Sequence, residues 1–362
     1  MKTTKRILCL IDTLGPGGAQ RQLTGLACFL KEAGYDVIVA AYYDNRFYVD
    51  LLLSAGVPYV YIKKAQKGLF RQWHLMRYMW KVKPDVVISY LESPSVRACV
   101  AHLFNRRFKL IVSERNTTQH TGRAEKLRFN MFRIADCVVP NAYAQEEYIN
   151  KNFPFLSKNV VTIPNFVDLN HFTPPIVRKR REKPEIIVVA TIWQSKNTLG
   201  FIDAVKELKE KGHDFHVSWY GRVVTSMDYF NQCQQKIEKY GVNDVIELKD
   251  KTTKIKEKYQ EADYFCLPSF YEGTPNVICE AMACGLPVVC SDVCDNGRYV
   301  EEGKNGFLFN PHDNQSIVAA LERMLNTGEQ VYAGMCKESR NRAEEMLSEK
   351  KFVESYIKLI EQ

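Results

Sequence analysis

Short apolar runs alternate with segments of helical period along this chain, and the alternation stops once and then begins again. A parallel sheet needs that rhythm, because each of its strands is reached by a crossover and is buried on both faces. The first series places strands at 6–11, 36–41, 85–89, 109–113 and 136–140, with helices over 19–33, 70–81 and 123–135. Residues 164–184 then gather Pro164, Pro174, Pro175 and Pro184 with a charged run from Arg178 to Lys183, which is linker composition. The second series places strands at 186–190, 216–220, 245–248, 264–267 and 288–291, with helices over 199–211, 229–240 and 253–261. Met346, Phe352, Tyr356, Leu359 and Ile360 recur at helical spacing, so a last helix over 344–361 must cover something. A chain of 362 residues is long enough for two cores. The expected fold is therefore α/β, with two Rossmann-like doubly wound domains at 1–171 and 172–343 and a C-terminal helix at 344–362.

Composition excludes several classes. With 46% hydrophobic and 25% charged residues the chain is globular, not disordered. The eleven cysteines include no C-x-x-C pair, and Cys9, Cys137 and Cys266 sit inside apolar runs, which reads as buried, reduced thiols of a cytoplasmic protein. The apolar run 7–11 is too short for a secretion signal, and no run approaches the ~18 residues of a membrane span. Charge is uneven: residues 1–170 hold 24 Lys and Arg against 13 Asp and Glu, and residues 171–362 hold 26 against 29. A basic first half suits an anionic lipid surface or a lipid pyrophosphate. Nucleic acid is not expected, because no aromatic-basic RNA motif accompanies the charge.

The densest motif is 268–287, P-S-F-Y-E-G-T-P-N-V-I-C-E-A-M-A-C-G-L-P. An apolar strand ends before it. Thr274 offers an N-cap hydroxyl and Pro275 a first helical position, so a helix start with unpaired N–H groups is expected near Gly273, Thr274, Pro275 and Asn276. Such a start holds a pyrophosphate well. Glu272 lies before the helix and Glu280 more than a turn inside it, so one carboxylate can accept from sugar hydroxyls and the other from a ribose diol.

This order of strand, Glu272-x7-Glu280 loop and helix, followed by Gly285-Leu286-Pro287-Val288-Val289, resembles the donor-binding motif of the retaining glycosyltransferases of family 4, glycosyltransferase group 1, which have the GT-B fold. The resemblance runs over nearly the whole chain and is most specific over 264–309. It implies two domains facing a cleft, with the last helix crossing back to the first. It also implies that Glu272 contacts the transferred sugar, Glu280 the ribose, and Lys196, in the Thr191–Asn197 loop, the departing diphosphate. Thr191 stands where the family has an arginine, so Arg222 in Tyr220-Gly221-Arg222 is a candidate for the second cation, against a plain solvent-facing charge. Ile163-Pro164-Asn165-Phe166-Val167-Asp168 resembles the family's hinge, with Phe166 in a glycine's place. Gly17 and Gly18 match its glycine turn near the diphosphate and acceptor. A dinucleotide fingerprint would need its third glycine at Gln20. The loop 294–298 sits where the family has another glycine turn, but with a divergent sequence.

In the first half Arg115 and Asn116 close a strand and are candidates for holding the acceptor or the donor hexose, with His120 and Glu92 beside them; Arg115 can instead pair with Glu114 or Glu125. The helix over 69–83 mixes Phe70, Trp73, Tyr78 and Trp80 with Arg71, Arg77, Lys81 and Lys83, which suits an anionic membrane interface as well as ordinary packing. No Asp-x-Asp pair or histidine set predicts a metal, and no cofactor is expected beyond the donor. The expected activity is metal-independent transfer, with retention, of a hexose or N-acetylhexosamine from a UDP- or GDP-sugar to a lipid-linked surface glycan, on the inner face of the cell membrane. The catalytic candidates are Lys196, Glu272 and Arg115. The alternatives are a nucleotide-sugar epimerase of the same fold and a non-catalytic binder of nucleotide sugars or lipid.

Overall fold

A computed structural model describes residues 4–66, 70–116, 118, 121–222 and 227–362. Residue 69, where one expected helix begins, and His120 lie outside them. The chain forms two compact units, residues 1–166 with 349–362, and residues 167–348.

Unit 1 holds strands β1 (Arg6–Ile11), β2 (Asp36–Ala41), β3 (Tyr59–Tyr61), β4 (Val86–Tyr90), β5 (Lys109–Glu114) and β6 (Cys137–Pro140), in the order β3-β2-β1-β4-β5-β6. All neighbours are parallel, with Cys9 of β1 in register with Val39 of β2 and Ile88 of β4. Side chains of β1 alternate between two cores. Ile7, Cys9 and Ile11 pack with Leu23, Leu26 and Leu30 of the helix Gly18–Glu32. Leu8 and Leu10 pack with Leu75, Met76 and Met79 of the helix Arg71–Val82 and with Phe129. Each fully buried aliphatic chain contributes roughly 1.5–3 kcal/mol, which is why the strand reads as one unbroken apolar run.

Unit 2 holds β7 (Glu185–Val189), β8 (His216–Tyr220), β9 (Ile246–Lys249), β10 (Tyr264–Leu267), β11 (Val288–Ser291) and β12 (Gly306–Phe309), in the order β12-β11-β10-β7-β8-β9, again parallel. This is the order of unit 1 repeated. In both sheets it reverses beside the first strand, between β1 and β4 and between β7 and β10. Ligands of open parallel sheets bind at the carboxyl ends of the strands at such a reversal, because the loops there diverge.

Three expectations are corrected. The last helix was expected over 344–361, but the helix Glu329–Met346 continues through 344 and a new helix begins at Glu349. Met346 and Leu347 pack in unit 2, while Phe352, Tyr356, Leu359 and Ile360 pack in unit 1. The basic run after Phe172 is no free spacer. Arg178 donates to the carbonyls of Ala262 and of Cys284, the latter at 2.8 Å, and Arg180 donates to that of Thr327. Ala262 and Cys284 are helix C-caps, where a cation meets unpaired carbonyls and the negative dipole end. Finally, the helix of the 268–287 motif is Asn276–Ala283 with Pro275 at the N-cap position, so it starts one residue later than expected.

The helix Glu349–Glu361 is fastened by polar bonds as well as by its apolar face. The Tyr356 hydroxyl lies 2.9 Å from that of Tyr90 and accepts from Arg115 Nη2 at 2.6 Å. Arg115 Nη1 donates to Asn165 Oδ1 at 2.7 Å, and the guanidinium lies 4.0 Å from the centre of the Tyr90 ring. Tyr356→Phe keeps the ring and strands two buried partners, a loss of about 1–3 kcal/mol. Differential scanning calorimetry should then show the unit 1 transition several degrees lower, at roughly 2–4 °C per kcal/mol.

Candidate functional site

In unit 2 the loops leaving β7 and β10 meet at the reversal of strand order. After β7 the chain turns through Ala190–Trp193, makes one tight turn at Gln194–Lys196, and passes Asn197 in a left-handed conformation, φ 55°, into the helix Thr198–Glu210. Asn197 suits that position because asparagine tolerates positive φ, and its Nδ2 donates to Pro311 O at 3.0 Å. The turn lifts Lys196 towards the other loop. Its Nζ is 2.5 Å from Glu272 Oε1, which also accepts from Ser269 Oγ at 2.6 Å. The Phe270 amide donates to Ser195 O at 2.9 Å, so main chain and ion pair join the two loops. Neither charge of the pair is far out in solvent, the side chains being 22% and 13% exposed. The pair and the Phe270–Ser195 bond together hold both loops in place.

Gly273, Thr274 and Pro275 follow and lead into the helix that carries Glu280. Glu280 is buried at 6% exposure, and the Tyr259 hydroxyl donates to its Oε2 at 3.3 Å. Arg222 is exposed, and its carbonyl accepts from the Ile192 amide at 3.2 Å, which fixes its backbone beside the loop that carries Lys196. A Cβ on Gly221 would lie 1.8 Å from Ala190 O, so only glycine allows this approach. The Cys294 loop has more to do with this place than its divergent sequence suggested. The Cys294 sulfur is in hydrogen-bond reach of the Glu272 backbone. Sequence reasoning passed over Ser269, although a hydroxyl three residues before a loop carboxylate is the signal that finds it.

In unit 1 the same strand edge carries Gly17 and Gly18, where Gly17, in extended conformation, is the N-cap of the helix Gly18–Glu32. Arg115 is committed to Asn165, Tyr356 and Tyr90, and pairs with neither Glu114 nor Glu125. Arg128 is the residue that reaches the carboxylates: its guanidinium bonds Glu92 Oε1 and lies 3.4 Å from Glu114 Oε2. Asn116 donates its backbone amide to Glu114 and its Nδ2 to Glu92, both at 3.2 Å. Burial pushes the Glu114 carboxyl up to about 7; Arg128 opposes the rise and Glu92 adds to it. Among the described residues no three His, Cys, Asp or Glu side chains group to hold a metal ion, and no helix is long and apolar enough to cross a membrane.

The family model for glycosyl transferases group 1 matches residues 171–346, and that for glycosyltransferase family 4 matches residues 16–171. The amylovoran biosynthesis glycosyltransferase AmsD of Erwinia amylovora is 25% identical over 332 residues, 88% of this chain and 90% of that protein. The GalNAc-alpha-(1->4)-GalNAc-alpha-(1->3)-diNAcBac-PP-undecaprenol alpha-1,4-N-acetyl-D-galactosaminyltransferase of Campylobacter jejuni is 23% identical over 336 residues, 89% of each. Among solved structures, HepE of Anabaena in complex with UDP and glucose superposes with a TM-score of 0.83 at 18% identity, covering 99% of both chains. With the two family models running together from residue 16 to residue 346 over a pair of sheets of the same reversed order, the chain belongs to the group 1, family 4 glycosyltransferases and has their GT-B fold.

Proposed function

We propose that this glycosyltransferase moves a hexose or N-acetylhexosamine from a UDP-sugar to a polyprenyl-diphosphate-linked glycan, with retention of configuration, without a metal, at the cytoplasmic face of the membrane. The Lys196–Glu272 pair beside the start of the helix Asn276–Ala283 carries the reading, because it joins a cation for a diphosphate to an acceptor for sugar hydroxyls. The printed names of relatives support the choice of partners, one naming UDP-Gal and a diphosphoundecaprenol acceptor, another a PP-undecaprenol-linked one. A GDP-sugar remains the second donor to test.

In this reading the arriving diphosphate draws Lys196 from Glu272, and the first N–H groups of the helix that starts at Asn276 share the charge. Glu272, still held by Ser269, turns its free acceptor capacity to the hydroxyls of the sugar. Cleavage of the anomeric C–O bond leaves its electron pair on the diphosphate, which these groups stabilise without reorganising, and the acceptor oxygen forms the new bond on the same face. Its proton passes to a donor phosphate oxygen. Glu280, buried and held by Tyr259, takes the ribose. Arg222 supplies a second cation. In unit 1, Gly17 and Gly18 let a phosphate near the backbone, Glu92 and Asn116 meet the acceptor, and Arg115 acts as a positioning residue that fixes the last helix.

Replacing Lys196 by alanine should lower kcat by about 10²-fold with little change in thermal midpoint, as read from UDP release with acceptor present. UDP should raise the midpoint of the native chain and fail to raise that of Glu280→Gln, since selective binding stabilises by mass action. A native shift with GDP alone would change the base, and no difference between the two proteins would remove Glu280 from the site. Arg115→Ala should lower the midpoint by several degrees; a loss of turnover at unchanged midpoint would make it a substrate contact instead. Glu114 ionises near 7 in the fold against an ordinary value of 4.5, so the folded state holds a proton that the unfolded chain has lost between those values. Its contribution is complete below about 4.5 and falls as pH rises to about 7. The midpoint of Glu114→Gln minus that of the native chain should therefore climb across this window in calorimetry at stepped pH.

A further inference from the structure

The opposite edge of the unit 1 sheet carries a feature that donor chemistry does not use. Between the C-terminal ends of the helices Arg71–Val82 and Glu92–Phe104 lies a hollow of about 810 Å³, lined by Trp80, Phe104 and Phe108 and by Lys83, Arg106 and Arg107. Its floor, Pro84, Asp85 and Phe108, precedes β4 and β5, so it opens at the end of the sheet away from Gly17 and Gly18. Asp85 is the one acid in the lining, and its carboxylate already accepts from the Arg6 amide at 2.7 Å. Lys83, Arg106 and Arg107 are exposed, and none forms an ion pair among the described residues. The carbonyl ends of two helices point this way, so the sign of the hollow is set by these three cations against the helix dipoles. No carboxylate among the described residues neutralises the three cations, which leaves them open to an anion from outside.

Apolar side chains stand around it. Phe104 is 71% exposed, Phe70 70% and Trp73 49%, and Trp73 meets Trp80 edge to face at 5.7 Å. The helices of this face belong to the segment 70–133, which holds 13 Lys and Arg against 4 Asp and Glu, more than the whole +8 of the chain. Aromatic and basic groups on one surface match the headgroup layer of a bilayer, where rings enter the acyl boundary and cations stay with lipid phosphates. We propose that this face of unit 1 docks on an anionic phospholipid bilayer, with Phe104 and Trp73 entering the headgroup layer and Lys83, Arg106 and Arg107 seating lipid phosphates in the hollow. The inference needs no turnover, so it stands or falls apart from the donor assignment.

Flotation of the full chain with phosphatidylcholine vesicles, with and without about 30% phosphatidylglycerol, tests it. Binding is expected with the anionic vesicles only, and should weaken as salt rises. The double variant Arg106→Glu, Arg107→Glu should bind at least about twentyfold more weakly, at roughly fivefold per charge lost. Phe104→Ser should lose binding at low salt too, and both variants should keep their thermal midpoint. Equal binding to neutral vesicles, or undiminished binding by the charge-reversed variant, overturns the proposal. So does abolition of binding by millimolar inorganic phosphate at constant ionic strength, which would make the hollow a site for a free anion.

Discussion

Lys196 and Glu272 can pair only because two strands far apart in sequence are neighbours. β7 and β10 lie side by side at the reversal of strand order, one connection leaving to each side, so the loops after them are not obliged to follow the same direction. The pair fills the gap that this divergence opens. It costs little to keep, since each charge offsets the other and Ser269 holds the carboxylate from a second side. Everything proposed for the donor follows from a site that is charged, pre-aligned and neutral in sum until a ligand enters.

Three acidic side chains of this enzyme show how surroundings divide one chemical group among different tasks. Glu272 keeps partial access to water and two partners, Lys196 and Ser269. Glu280 is enclosed by its own helix and reached by Tyr259, which leaves it a fixed acceptor. Glu114 is deeper still, and there the cost of burying a charge exceeds the help from Arg128, so its proton stays on near neutrality. Arg128 is drawn between Glu114 and the more exposed Glu92, which makes the trio a rigid support for the end of β5.

The fold was legible because buried parallel strands have to be apolar throughout, and β1, β4, β5, β7, β10 and β11 announce themselves in that way. β3 and β12 did not: β3 is three partly exposed residues, and β12 opens with Gly306, whose absent side chain admits the Val288 carbonyl. The loop and helix that carry Glu272 and Glu280 were legible through local spacing. The partners that fix them were not, since Tyr259 and Cys294 come from other elements and only folding brings them near. Arg115 shows the same limit from the other side. Its place at a strand end suggested a ligand, whereas Asn165 and Tyr356, 50 and 241 residues away, claim it. The last helix was found by its period but misplaced at its start, because Met346 continues an apolar pattern that a break at Leu347–Ser348 divides between two cores.

The arginines that follow Phe172 were first legible only as a charged spacer, yet Arg178 and Arg180 close the carbonyl ends of helices in unit 2. That alters how the molecule can be dissected. A fragment begun at β7, where the sheet starts, would keep every strand and lose the Arg178 cap on the Cys284 carbonyl, leaving Arg340 on Ala283 to finish the helix carrying Glu280. One begun at Val167 would retain that cap. The shortest complete piece of unit 2 is thus longer than its sheet, and its extra length is the stretch that looks most dispensable.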